Sequence, residues 1–127
     1  MQQYTETVLD HFIHPRNMGE LENADGIGQA GTEDDGDVVR FYIRVKDGRI
    51  ADIRFQTFGC GAAIASSSAA TELMLGLTLE EALSVTDEQI VESLGGLPES
   101  KIACSVLAPK ALAAAVEDYR SRHAEQD

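Results

Sequence analysis

The chain reads as a helix, then strands, then helices, the order of a mixed helix-and-sheet domain. Three observations carry that reading. Apolar residues recur at helical spacing in residues 4–13, alternation with a period of two begins at Val38, and helical spacing returns after Gly59.

Composition bounds what such a domain can be. With 127 residues the chain is expected to form one domain, 1–127, able to bury roughly two-thirds of its unfolded surface. Hydrophobic residues make up 43% and charged residues 25%, ordinary globular usage, and the absence of Trp leaves the core to aliphatic packing. A formal charge of −12, from 22 acidic against 10 basic residues, repels phosphate backbones and anionic lipid headgroups, so neither nucleic acid nor a membrane is an expected partner. No apolar run approaches the roughly 20 residues a membrane span needs, and "MQQYTETVLDHF" lacks the basic start and apolar stretch of a signal peptide. The expected location is the cytoplasm.

The elements follow in order. In "YTETVLDHFI", Tyr4, Val8, Leu9, Phe12 and Ile13 make a short amphipathic helix that Pro15 closes. "RNMGELENADGIGQAG" has no sustained period and reads as loop or weak edge strand. Its "GIGQAG" matches a dinucleotide glycine pattern, but an acidic loop follows where a helix would be needed. From Val38, Val39, Phe41, Ile43 and Val45 alternate with Arg40, Tyr42, Arg44 and Lys46. "KDGR" supplies the Asp-Gly pair of a tight hairpin turn. A second strand follows, with Ala51, Ile53 and Phe55 on one face and Asp52, Arg54 and Gln56 on the other.

"GCGAAIASSSAATELMLG" reads as a largely buried helix ending at Gly76. "TLEE" at 78–81 and "TDEQ" at 86–89 fit the capping-box pattern, each opening a short helix. A last helical region runs from about Ile102 to Arg122, with Pro109 restarting or kinking it.

Two stretches bear on chemistry. Cys60 and Cys104 are the only cysteines. Cys60 stands between glycines at a strand-to-helix junction, where backbone amides and the helix dipole favour a thiolate, and Cys104 is placed near the opening of the last helical region. The same two residues also suit the role of small buried hydrophobes, and position alone leaves both readings open. "GTEDDGDVV" crowds acidic side chains ahead of the first regular strand. Asp34, Asp35 and Asp37 could ligate a hard cation, yet the calcium-loop pattern fails because Tyr42 falls where the closing Glu belongs. In isolation a solvated loop is the better reading.

"DHFIHPRNMG", "GDVVRFYIRVKDGRIADIRFQTFGCGAAIASSSAATE" and "KIACSVLAPKALAAAVEDY" resemble the three signature stretches of the U-type iron–sulfur cluster assembly scaffolds, the IscU and NifU N-terminal type. The resemblance runs from about Tyr4 to Tyr119. It implies an α+β fold, with a three-stranded antiparallel sheet, helices packed on one side, and a cluster site at one exposed end. It implies a scaffold rather than an enzyme, and a site of three cysteines and an aspartate. Cys60 and Cys104 correspond to the second and third cysteines and Asp37 to the aspartate. Asp35 stands where the first cysteine is expected, so that "DDGD" becomes a ligand loop with one donor exchanged, and Ala103 stands where the family usually has a histidine.

The expected metal set is therefore Asp35, Asp37, Cys60 and Cys104, holding an iron–sulfur cluster of [2Fe-2S] type, with zinc possible at the same place. A carboxylate is a harder donor than a thiolate and holds such irons less firmly. The resemblance also implies a cysteine desulfurase as partner, with Cys104 the candidate persulfide acceptor, and apo iron–sulfur proteins as recipients. An Hsp70-type chaperone would recognise "LPESK", of which only Leu97, Pro98 and Lys101 keep the family pattern. The expected assembly is a monomer or weak homodimer. His11, His14 and His123 are read as surface residues. Two competing readings are a zinc-dependent sulfur-acceptor protein and a degenerate regulatory paralogue without metal.

Overall fold

A computed structural model describes residues 4–32 and 36–123. Helix α1 (Glu6–Ile13) leads into a three-stranded antiparallel sheet of β1 (Gly26–Thr32), β2 (Asp37–Lys46) and β3 (Arg49–Phe58), in that spatial order. Then come α2 (Gly61–Met74), α3 (Leu79–Leu83), α4 (Asp87–Ser93), a 3₁₀ helix (Glu99–Val106) and α5 (Leu107–Arg122). Among the described residues no helix is long and apolar enough to cross a membrane.

The β2–β3 hairpin turns at Asp47 and Gly48, both at positive φ (54° and 74°), as the tight turn that matches strand twist requires. Val39, Phe41 and Ile43 of β2 and Ile53 and Phe55 of β3 are fully buried beneath the helices. Alternation places Ala51 in that row, but it is Ile50 that is buried and Ala51 that is exposed. The cause is a bulge: Arg44 pairs with Asp52 and Val45 with Ile50, so Ala51 is the extra residue and the parity flips. Phe41 and Phe55 meet edge to face, ring centroids 6.5 Å apart. Each such aromatic or branched side chain contributes about 1.5–3 kcal/mol on burial.

Edge strand β1 lies directly on the backbone of α5. A Cβ on Gly28 would stand 2.1 Å from the Ala115 nitrogen and 2.4 Å from the Ala111 oxygen, and one on Gly26 would stand 2.2 Å from the Ala115 oxygen. The glycines of "GIGQAG" thus permit strand-to-helix contact, and no helix follows them to bind a phosphate. The alanines of α5 and α2 serve the same closeness: Ala108, Ala111, Ala115, Ala65 and Ala69 all lie in the core.

Helix α2 is buried nearly all round, from Ala62 to Met74. Two of its hydroxyls are satisfied within the helix, Ser66 donating to the Ala62 carbonyl at 2.7 Å and Thr71 to that of Ser68 at 2.6 Å. Both capping boxes form, at Thr78/Glu81 and Thr86/Gln89. Pro109 sits in the first turn of α5, where a missing N–H costs no helical hydrogen bond.

Helix α1, capped by the Thr5 hydroxyl accepting the Val8 N–H at 3.0 Å, packs on α2 through a different face from the one the apolar spacing indicates. Val8 and His11 are buried, whereas Leu9, Phe12 and Ile13 remain 43%, 45% and 64% exposed. His11 is the correction to a surface assignment. Polar residues of α2 make its burial tolerable: Ser68 Oγ lies 2.8 Å from Nδ1 and accepts the Arg16 N–H at 2.8 Å, and Glu72 faces Nε2 at 3.4 Å. Burial holds the His11 pKa below its ordinary value. His14 is exposed, and His123 is half-buried against the Tyr119 ring.

Beyond α1 the chain covers the outer edge of β3. Asn17 accepts the Phe55 N–H at 2.9 Å and Gly19 donates to the Phe55 carbonyl at 2.8 Å, which protects a strand that would otherwise offer unpaired backbone groups.

Candidate metal centre

The hairpin register builds one corner of the molecule. Because Val38 pairs with Phe58, the first residue of β2, Asp37, stands beside the residues that follow β3, and these are Gly59 and Cys60. Cys60 is the N-cap of α2. Its N–H donates to Asp37 Oδ1 at 3.2 Å, so the carboxylate serves a helix start that has no side-chain cap of its own. Gly59 makes room for this. A Cβ there would fall 2.1 Å from Asp37 Oδ1. The sequence marks Gly59 only by its place in "FGCG", directly before the thiol, and gives no sign of its role toward Asp37.

Cys104 arrives from the other side of α2. Contacts between α2 and the 3₁₀ helix bring its Sγ to 3.4 Å from that of Cys60 and 3.7 Å from Asp37 Oδ2. One donor atom from each of the three residues lies within 4.8 Å of the others. A zinc ion with bonds of about 2.3 Å to sulfur and about 2.0 Å to oxygen needs tetrahedral edges of about 3.5–3.8 Å. The two measured edges are close to that, so the donor set fits a four-coordinate ion with one position left for a further ligand.

Electrostatics bear directly on Cys104. Cys104 does not open a helix: it is the sixth residue of the 3₁₀ helix, and α5 begins three residues later. The expected stabilisation of its thiolate is missing, and burial, then the neighbouring Cys60 and Asp37, push its pKa from 9.0 up to about 12. Cys104 therefore holds its proton and donates it toward Asp37. A bound cation would replace that proton. Both cysteines are free and half-buried, within reach of solvent, and exposed apolar side chains flank them in sequence, Phe58 at 76% and Ile102 at 39% exposure.

The remaining candidates distribute as follows. Asp35, and Asp34 beside it, lie outside the described residues. Leu97 packs against the core, Pro98 precedes the 3₁₀ helix and accepts the Lys101 N–H at 2.8 Å, and Lys101 is half-buried. These three residues start the segment that carries Cys104.

Fold and corner together define a class: an α+β domain presenting two thiols and a carboxylate at one end of its sheet. The chain matches the NifU-like N terminal domain model over residues 3–126 and belongs to that family. It is 52% identical to the iron-sulfur cluster assembly scaffold protein IscU 1 of Archaeoglobus fulgidus, over 98% of this chain and 81% of that one. It is 50% identical to the IscU scaffold of Azotobacter vinelandii, over 94% and 95% of the two chains. The fold matches a solved putative iron-sulfur cluster assembly scaffold protein for the SUF system from Fervidobacterium islandicum AW-1 with a TM-score of 0.71, at 24% identity and covering 89% of this chain and 96% of that one.

Proposed function

We propose that this protein is a scaffold on which iron–sulfur clusters are assembled and from which they pass to recipient proteins. The observation that carries the reading is the approach of Cys60 Sγ, Cys104 Sγ and Asp37 to within 4.8 Å of one another, in a chain about half identical to named scaffolds. On this reading Cys60, Cys104 and Asp37 hold iron, with Asp35 as fourth donor in place of a cysteine. The cargo is a [2Fe-2S] cluster. Sulfur comes as persulfide from a cysteine desulfurase and is received on Cys104, which gives up its proton toward Asp37 Oδ2 in that step. Leu97, Pro98 and Lys101 form a reduced chaperone-recognition segment at the start of the Cys104 limb.

A carboxylate-rich donor set holds iron weakly, which suits a protein that must give its cluster away. Anaerobic reconstitution with iron, sulfide and thiol tests the proposal. Visible cluster absorption that disappears in Cys60→Ala and in Cys104→Ala supports it, and a chain that stays colourless refutes it. The tetrahedral fit of the donor edges favours a second reading, a zinc-dependent sulfur acceptor. Stoichiometric zinc in protein purified without added metal, together with no iron uptake, selects that one.

A further inference from the structure

We propose that Cys60 resolves a sulfane sulfur carried on Cys104, so that the site itself releases sulfide and is left as a Cys60–Cys104 disulfide. This rests on the reading of Cys104 as persulfide acceptor.

Three observations lead here. The two sulfurs are 3.4 Å apart, so a disulfide needs an approach of about 1.3 Å to reach the bonded 2.05 Å, within the reach of side-chain rotation. The chain has no third cysteine, so a persulfide on Cys104 has one intramolecular thiol to meet, and only one intramolecular disulfide can result. Finally, Cys60 is held by its own N–H on Asp37 at the start of a 14-residue helix, so the attacking sulfur starts in place.

The chemistry balances without an outside oxidant. The Cys60 sulfur attacks Sγ of Cys104, the inner sulfur of the persulfide. The bond from Sγ to the outer sulfur breaks, and the bond between the two cysteine sulfurs forms. The outer sulfur leaves with the electron pair as hydrosulfide and takes up the Cys60 proton, departing as hydrogen sulfide. The sulfane sulfur is thereby reduced by two electrons, and the cysteine pair is oxidised by two. A second round requires a thiol reductant, either a low-molecular-weight thiol or a dithiol protein, to reopen the disulfide by exchange. A donor set with one fewer thiol than the usual three thus gains a direct route from sulfane sulfur to sulfide, at the cost of needing reduction after each release.

The test uses the full chain, reduced and metal-free, under anaerobic conditions. A cysteine desulfurase is charged with sulfur, freed of cysteine, and mixed with it. Released sulfide and the intact mass of the chain are read together, with peptide mapping for the disulfide. The wild-type chain should release about one sulfide per chain and lose the mass of two hydrogens through a Cys60–Cys104 bond. Cys60→Ser, which keeps the size and the backbone N–H of the cap, should instead gain the mass of one sulfur on Cys104 and release at least about tenfold less sulfide. A wild-type chain that keeps the added sulfur, with no sulfide and no disulfide, overturns the inference while leaving persulfide acceptance intact. Uptake of sulfur by neither chain overturns the acceptance reading and this inference with it. Accumulation in Cys104→Ser rather than in Cys60→Ser reverses the roles and overturns the assignment made here.

Discussion

Asp37 Oδ1 accepts the N–H of Cys60 at 3.2 Å, tying the first residue of β2 to the N-cap of α2. Through this contact the hairpin register, which is a core property, sets the position of a thiol at the surface. Much of what the corner does can be tested by disturbing that tie without touching the core.

Gly59→Ala should do so. The new Cβ would meet the far end of the Asp37 side chain at 2.1 Å, which can swing away, and a φ of +159° adds backbone strain, so the chain is expected to keep its far-UV circular dichroism with a lowered melting temperature. Zinc affinity is expected to fall by about tenfold or more, as it does when a supporting shell is lost. Zinc titration against a competing chelator measures it, and unchanged affinity would show that Asp37 plays no part in holding the ion.

Cys104 should react slowly with iodoacetamide. Its pKa of about 12 against an ordinary 9.0 leaves little thiolate near pH 8, and the rate should climb with pH toward 12. Asp37→Asn removes one of the charges that raise it, so alkylation of Cys104, followed by peptide mapping, should be faster than in wild type. The same shift affects stability. Between pH 9.0 and 12 the unfolded thiol has lost its proton and the folded one has not, so stability falls as pH rises through that window.

His11 acts in the opposite direction. Its folded pKa lies below 6.5 because burial disfavours the imidazolium. As pH drops below 6.5 the unfolded chain binds a proton that the folded chain refuses, and stability declines. His11→Gln should flatten the fall in melting temperature between pH 6.5 and about 5, as read by thermal melts at several pH values. An equal slope in both chains would assign the acid sensitivity to other groups.

Gly28→Ala should be costly, because the atoms it meets, the Ala115 nitrogen and the Ala111 oxygen, are backbone and cannot turn aside. Prising β1 from α5 is expected to cost about 1–3 kcal/mol, seen as a lower urea midpoint. The solvent-facing neighbour Gln29→Ala provides the control and should shift the midpoint little.

The contrast between Gly28 and Gly48 shows what a sequence can express. Gly48 was legible because a two-residue turn is a local object: the Asp-Gly pair, the positive φ and the flanking alternation all lie within a few residues. The capping boxes at Thr78 and Thr86 were legible for the same reason, and so was the stop of α2, which ends at Met74 just before the positive-φ Gly76. Gly28 was not, because its meaning comes from α5, some ninety residues along the chain, and the local pattern matches a dinucleotide glycine pattern instead. Ala51 and Ile50 exchanged places because the bulged residue shifts the parity of the strand on the turn side of it, while Ile53 and Phe55 beyond it keep theirs, and no propensity marks it. His11 looked like a surface residue until Ser68 and Glu72 on another helix supplied its partners.

By itself the sequence determined the β2–β3 hairpin and its turn, the capped starts of α3 and α4, the family to which the three signature stretches belong, and the residue types available at the site. Tertiary structure decided that Cys60, Cys104 and Asp37 converge, that Gly59 opens the space for the carboxylate, and that Cys104 keeps its proton. The physical reason is range. Backbone geometry and capping are set by neighbours within one or two turns, whereas the distance between two sulfurs and the energy of charging one of them are sums over residues that meet only when the sheet and helices pack.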